Sequence, residues 1–266
     1  MKSSTIFLII ICLSGTACSP PKDREPSEEG KIIVLMYHRI VKGEPGNLYE
    51  RNVENLEADL IYLSDNNVNI INFNELGDIV SAGKMPNGNS AVITFDDGDH
   101  SWYTLVRPLL LKYKMEATFF LWTEMIGHDS FLSWDEIENM SYYTLSSGER
   151  PFIFGSHSMS HQYLQKRKND FATSDDYNSF LDYELGVSKV KIEEHTPGDV
   201  TVFSLPYGDG AGDQEIISAA KRNGYKFIRT SIWGTIDDLE ESLFMIPSLP
   251  MLDSTAPELI GDYLGI

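Results

Sequence analysis

Residues 31–46 read KIIVLMYHRIVKGEPG, an apolar run followed by a turn that decides between two folds. The run KIIVLMY reads as a strand. A sheet that binds a dinucleotide needs closely spaced glycines directly after its first strand, and MYHRIVKGEPG lacks that spacing. Working outward, short apolar runs alternate with amphipathic segments. The helix NVENLEADLIYLSDN precedes the strand VNIIN, and the helix NELGDIVSAG takes Asn74 as its N-cap and Gly83 as its stop. The strand AVITF, the helix SWYTLVRPLLLKYK, the strand EATFFLW, the helix SWDEIENMSYYTLSSG and the strand FIFGS follow. A helix between Asp175 and Glu194, the strand TVFSL, the helix DQEIISAAKRNG and the strand KFIRT complete the pattern. Such alternation implies parallel crossovers. The fold class is therefore α/β, a (β/α) barrel of about seven parallel strands, with its chemistry at the C-terminal ends of the strands.

The chain of 266 residues suits one domain of catalytic size, and 42% hydrophobic with 11% aromatic residues excludes global disorder. A formal charge of −19 argues against nucleic acid as a partner, because phosphate binding needs Lys and Arg. The opening MKSSTIFLIIICLSGTAC (1–18) has the layout of a secretory signal: Lys2, an apolar run from Ile6 to Leu13, then small residues before Cys18. Gly15, Thr16 and Ala17 resemble a bacterial lipobox, in which Cys18 is lipidated and the chain is anchored to a membrane. Gly15 departs from the usual leucine, so a plain cleaved signal is the alternative. Cys12 would leave with the signal, so the mature chain has no disulfide to form. Residues 19–30, SPPKDREPSEEG, read as a flexible tether, and the folded domain is expected over 31–266.

Four segments fall at strand ends. AVITFDDGDHS (91–101) runs from apolar residues into Asp96 and Asp97, with Gly98 free to take a turn that other residues disfavour. An Asp-rich turn capping the next helix is the plain reading. Two adjacent carboxylates are not comfortably ionised together without a cation or basic group between them, so the pair calls for a cation. GSHSMSHQYL (155–164) sets His157 and His161 four residues apart; on a helical turn both imidazoles share a face, suitable for one metal. Two unrelated surface histidines are the alternative. One carboxylate with two imidazoles leaves coordination positions open, as in catalytic sites. In FSLPYGDG (203–210), Pro206 fixes the backbone and Gly208 permits a sharp turn, which holds the Tyr207 amide towards a pocket to meet developing negative charge. A simple strand-to-helix loop is the alternative there. His38, ending the first strand, is either a half-buried histidine bonded to a carbonyl or a proton donor to a leaving group. His100 lies near the acidic pair in sequence, and His195 reads as surface.

Taken in order, these segments resemble the polysaccharide deacetylases of the NodB-homology type, a carbohydrate esterase family, over roughly residues 31–250. The framework stretches IVLMYHRI and LLLKYKMEATFFL share in the resemblance. It implies a distorted (β/α) barrel, the NodB-homology fold, with Asp96 as catalytic base, Asp97, His157 and His161 as metal ligands, and an oxyanion-binding amide at Tyr207. The implied cofactor is a divalent metal, usually Zn2+, with Co2+, Ni2+ or Fe2+ as related choices. Two positions depart from the pattern. Ser204 stands where family members often carry an arginine that orients the base, and no histidine follows His195 to match the late Leu-x-His general acid, the tail reading FMIPSLPML. A branch resembling exported poly-N-acetylglucosamine deacetylases begins with MYH and uses that histidine as the acid; His38 matches it. The implied activity is removal of N-acetyl groups from an N-acetylglucosamine polysaccharide by a monomer exported to the bacterial envelope. An O-acetyl (xylan-type) esterase and a glycan-binding homologue with a weakened site are the alternatives. Pro206 and Trp233 are expected at the sugar pocket, and Trp122 in core packing.

Overall fold

A computed structural model of the chain describes residues 29–239 and 243–266. The signal segment, Cys18 and residues 19–28 of the tether lie outside the described residues. Glu29 already bridges to Asn87, and Gly30 N–H donates to Pro86 O at 2.9 Å, so ordered contacts begin just before Lys31. The strands are β1 (Ile32–Tyr37), β2 (Arg39–Val41), β3 (Glu50–Asn52), β4 (Asn69–Ile71), β5 (Ser90–Asp97), β6 (Ala117–Leu121), β7 (Phe152–Ser156), β8 (Val202–Ser204), β9 (Phe227–Arg229), β10 (Thr235–Ile236) and β11 (Leu249–Pro250). The α-helices are α1 (Val53–Asp65), α2 (Phe73–Ala82), α3 (Arg107–Tyr113), α4 (Trp134–Ser141), α5 (Ser174–Asp182), α6 (Ser188–Glu193), α7 (Gln214–Arg222) and α8 (Glu258–Leu264).

One sheet curls through the order β10-β1-β5-β6-β7-β8-β9, with β11 also paired to β1 and β4 to β5. Every pairing is parallel except β10 with β1. The curl is bridged by irregular chain: Ile246 N–H donates to Ile228 O at 2.9 Å and Met251 N–H to Met36 O at 2.9 Å, joining β9 back to β1. This is the (β/α) barrel that the alternation of elements predicts, with the distortion that the resemblance implies. Alternate residues serve two cores, as a two-residue period requires. Ile33, Leu35, Ile93, Phe95, Phe119 and Leu121 pack outward against the helices, while Ile32, Val34, Val92, Phe120 and Val202 fill the interior. Phe120 has room because its partner across the sheet is Gly155, where a Cβ would stand 2.7 Å from the ring.

Local differences from the sequence reading have local causes. The N-cap of α2 is Asn72, whose side chain and Glu75 form a capping box, and Asn74 lies inside the helix. The segment expected as one helix over 101–114 opens as a π-helical turn, Trp102–Val106, ahead of Pro108 at the start of α3, because proline has no N–H to continue the ladder. A second π-helical turn, Tyr183–Val187, separates α5 from α6. α4 ends at Ser141, well before Gly148.

Candidate active site

Alternation along β5 carries Asp96 into the barrel: Ala91, Ile93 and Phe95 face outward and Val92 inward, so Asp96 faces inward too. The same period would send Asp97 to the opposite face. Asp97 instead has a φ of 92°, and both carboxylates line one cavity of about 280 Å³ at the C-terminal ends of the strands, with Met36, His38, His157 and His161. Non-glycine residues with positive φ gather here: Asp97, Ser158, His161 and Tyr207 belong to this site. Such conformations persist where surrounding structure enforces them.

His157 follows the last residue of β7. The stretch to His161 is not the helical turn expected from the spacing but an irregular one, with Ser158 at φ 67° and His161 at φ 54°. Hydroxyls and one carboxylate hold it. Ser158 N–H donates to Ser156 Oγ at 3.1 Å, His161 N–H to Ser158 Oγ at 2.9 Å, and Ser160 N–H to Glu184 Oε2 at 2.8 Å, while the Ser160 hydroxyl donates to Glu184 Oε1. Glu184 is 1% exposed and reaches this turn from the second π-helical segment, a device that recurs at functional sites.

The turn brings the two Nε2 atoms to 3.0 Å, and each stands 3.5 Å from Asp97 Oδ1. His157 Nδ1–H donates to Ser204 O at 2.9 Å, which leaves Nε2 as its lone-pair atom. His161 Nδ1 meets the Tyr207 hydroxyl at 3.1 Å. Burial lowers the pKa of His157 to about 3 and of His161 to about 4, so both rings are neutral at physiological pH. Burial and then the adjacent Asp96 charge raise Asp97 to about 7. Two neutral lone pairs and a carboxyl group short of positive charge form a donor set suited to a divalent cation. Ligands at ~2.0–2.1 Å in tetrahedral array would lie about 3.3 Å apart; the three ligand atoms here lie within 4.8 Å of one another.

Asp96 is 2% exposed, and burial alone would raise its pKa. Arg229 reverses that effect, aided by His157 and His38, and brings the group down to about 2. The Arg229 guanidinium donates to Asp96 Oδ2, and the Ser204 hydroxyl donates to the same oxygen at 3.3 Å. Arg229 is absent from the sequence reading, which takes KFIRT only as a strand. The signal was an arginine within a buried apolar strand, which must find a partner.

His38 lines the same cavity, its ring 5.1 Å from that of Tyr49. Burial lowers its pKa, the Asp96 charge opposes that, and Arg229 reinforces it. Tyr207 has φ 57° and ψ 9°, with its ring stacked on Tyr163 at 4.3 Å. Gly208 lines the cavity beside it, where a Cβ would collide with the Ser231 hydroxyl at 2.0 Å. Pro206 is buried and stays out of the cavity wall, so it shapes the turn without facing the cavity. Trp233 is 58% exposed, beyond the wall residue Ser231. Trp122 stacks on the His161 ring at 4.8 Å, so it lies at the site rather than only in core packing. His100 pairs with Glu136 at 2.9 Å and His195 with Glu138 at 2.6 Å, both outside the cavity lining.

A family model described as polysaccharide deacetylase matches residues 83–228. The Bacillus subtilis (strain 168) protein YxkH, whose own assignment as a polysaccharide deacetylase is provisional, is 28% identical over 196 residues, 74% of this chain and 63% of YxkH. The chain thus spans somewhat under two thirds of that relative's length. The poly-β-1,6-N-acetyl-D-glucosamine N-deacetylase of Staphylococcus epidermidis is 26% identical over 218 residues, 75% of this chain and 72% of that protein. The solved structure of Streptococcus pyogenes deacetylase PplD in complex with acetate is similar in fold, with a TM-score of 0.75 at 21% identity over 88% of this chain and 98% of PplD.

Proposed function

We propose that this chain, which belongs to the polysaccharide deacetylase family, removes N-acetyl groups from a polysaccharide containing N-acetylglucosamine and releases acetate. The observation that carries this reading is the meeting of Asp97, His157 and His161 within 4.8 Å, in the cavity that also holds Asp96. Those three residues would hold a divalent cation, Zn2+ first and Co2+, Ni2+ or Fe2+ as substitutes, and the chemistry it would supply there is Lewis acidity towards an acyl oxygen and water. The chain's own groups do the rest. Asp96, ionised at neutral pH, accepts the proton of the attacking water. The Tyr207 N–H donates to the acyl oxygen as negative charge develops there. His38 protonates the departing nitrogen; burial keeps its resting ring neutral, and the Asp96 charge favours its protonated form. Tyr49 and Trp233, both exposed near the cavity, offer apolar faces to pyranose rings.

In this reading Cys18 is lipidated and residues 19–30 tether a catalytic domain, 31–266, to the bacterial envelope, where it acts as a monomer. Among the described residues no helix is long and apolar enough to cross a membrane. The test is acetate release from N-acetylglucosamine oligomers with and without a chelator, run beside acetylated xylan. Release that stops with chelator and returns with Zn2+ is expected, and Asp97→Ala is expected to lose bound metal and activity together. Oligomer binding without acetate release at any metal concentration would overturn the reading. Release from xylan alone would move the activity to esters.

A further inference from the structure

The two imidazoles of the site are anchored through Nδ1 by different kinds of group. His157 Nδ1–H donates to a backbone carbonyl, Ser204 O, at 2.9 Å, and a carbonyl can only accept. His161 Nδ1 meets the Tyr207 hydroxyl at 3.1 Å, and a hydroxyl can accept or donate. Between the rings, the Nε2 atoms lie 3.0 Å apart, with Asp97 Oδ1 farther off at 3.5 Å from each. Two neutral rings at that distance share one proton. His157 has already placed its own at Nδ1, so the shared proton sits on His161 Nε2, and His161 Nδ1 takes a hydrogen bond from the Tyr207 hydroxyl. A cation held by both Nε2 atoms needs a lone pair on each, which requires His161 to carry its proton at Nδ1 instead. Only the partner of His161 can serve both arrangements.

The hydroxyl is held at this spot from several sides. Tyr207 has a left-handed backbone at φ 57°, its ring stacks on Tyr163 at 4.3 Å, and Lys166 Nζ lies 3.9 Å from the centre of the Tyr163 ring. Trp122 stacks on His161 with 24° between the planes, which fixes the ring plane without choosing where its proton sits.

We propose that the Tyr207 side chain is the positioning partner of His161 and serves two tautomers: its hydroxyl donates to Nδ1 while Nε2–H bridges to His157, and accepts from Nδ1–H once Nε2 is a metal ligand. The ring gives its Nε2 proton to water and takes one from water at Nδ1, so it stays neutral. The hydroxyl hydrogen turns towards solvent, which the 54% exposure of Tyr207 permits. His157, bound to a carbonyl, keeps one tautomer throughout. The inference rests on the metal-dependent reading of the site and deepens it, giving the Tyr207 hydroxyl a part separate from that of its N–H.

The experiment uses the full chain labelled with 15N-histidine, as wild type and Tyr207→Phe, after chelator treatment and after addition of one equivalent of Zn2+. Ring 15N resonances report which nitrogen of each histidine carries the proton, and competition with a chromogenic chelator gives Zn2+ affinity. In wild type without Zn2+, His157 is expected as the Nδ1–H tautomer and His161 as the Nε2–H tautomer; with Zn2+ both are expected as Nδ1–H, so that only His161 changes. Tyr207→Phe keeps the stacked ring and is expected to bind Zn2+ about 10–100-fold more weakly with an unchanged melting temperature. A merely structural role would lower the melting temperature and leave affinity alone. His161 found as Nδ1–H both before and after Zn2+ overturns the proposal, as does wild-type Zn2+ affinity in folded Tyr207→Phe. Should that variant fail to fold, the wild-type spectra alone decide. A wild type that binds Zn2+ without a change at His161 overturns this inference and leaves the metal-dependent reading standing; one that binds no divalent cation overturns both.

Discussion

Two carboxyl groups stand at opposite ends of neighbouring strands: Asp96 near the C-terminal end of β5, and Glu116 just before the N-terminal end of β6. Asp96 is the more deeply buried, yet its pKa is brought down to about 2, while that of Glu116 is raised to about 9. Burial pushes both upward. Asp96 has Arg229 against it, which outweighs burial. Glu116 has Glu75 as hydrogen-bond partner and like charge, Glu149 as a further like charge, and only the Asn72 amide to oppose them. The neighbours therefore decide whether the upward push of burial prevails: it stands at Glu116 and is overturned at Asp96. The cavities differ in the same sense. Glu116 lines the larger, about 500 Å³, while the smaller one holds the only three-residue His/Asp ligand cluster found among the described residues.

Replacing each carboxyl by its amide should have opposite consequences for stability, and the largest effect belongs to Asp96. Asp96→Asn is expected to lower acetate release roughly 10²–10⁴-fold, and to cost about 3 kcal/mol in urea unfolding, because it strands the Arg229 charge. Stability equal to wild type would mean that the ion pair does not set the state of Asp96. Next is Glu184, a buried carboxylate whose partners on the turn proposed to bind metal are hydrogen-bond donors from Ser160. Glu184→Ala is expected to weaken Zn2+ affinity about 10–100-fold, measured by competition with a chromogenic chelator.

At the other end, Glu116→Gln is expected to stabilise the protein. The folded-state pKa of Glu116 lies above its ordinary value of 4.5, so the native state holds a proton that the unfolded state has lost between pH 4.5 and about 9. Unfolding free energy therefore falls as pH rises through that window, and the glutamine removes the fall. The gain should be about 1 kcal/mol at pH 8, after allowance for solvent screening, and absent at pH 4, by urea titration at both. The smallest effect concerns backbone strain. Lys114 closes α3 with φ 56° on the wall of the larger cavity, whereas Tyr207 has nearly the same φ at the active site. Lys114→Gly is expected to raise stability by about 0.5 kcal/mol with acetate release unchanged. A loss of activity would show that the two ends are coupled.

Much of the fold is legible in the sequence because it is written in short periods. KIIVLMY, AVITF and FIFGS announce strands by apolar residues alone, and each helix carries its face within a dozen residues. Asp96, Asp97, His157, His161, Tyr207 and His38 are legible as strand-end residues for the same reason: each follows an apolar run closely. The shape of HSMSH is not legible, because the spacing suits a helical turn and the real turn depends on Glu184 from a π-helical segment. Neither is Arg229, which lies 133 residues from Asp96 and meets it only because β9 and β5 face each other across a curled sheet.

The sequence by itself determined the order of the elements and which polar side chains stand at strand ends, since two-residue alternation and turn chemistry act between near neighbours. Tertiary structure alone decided which carboxyl is charged, which nitrogen of His157 is free, and which arginine pairs with Asp96. Those outcomes depend on through-space distances between residues of different strands, and the distances exist only once the sheet has curled.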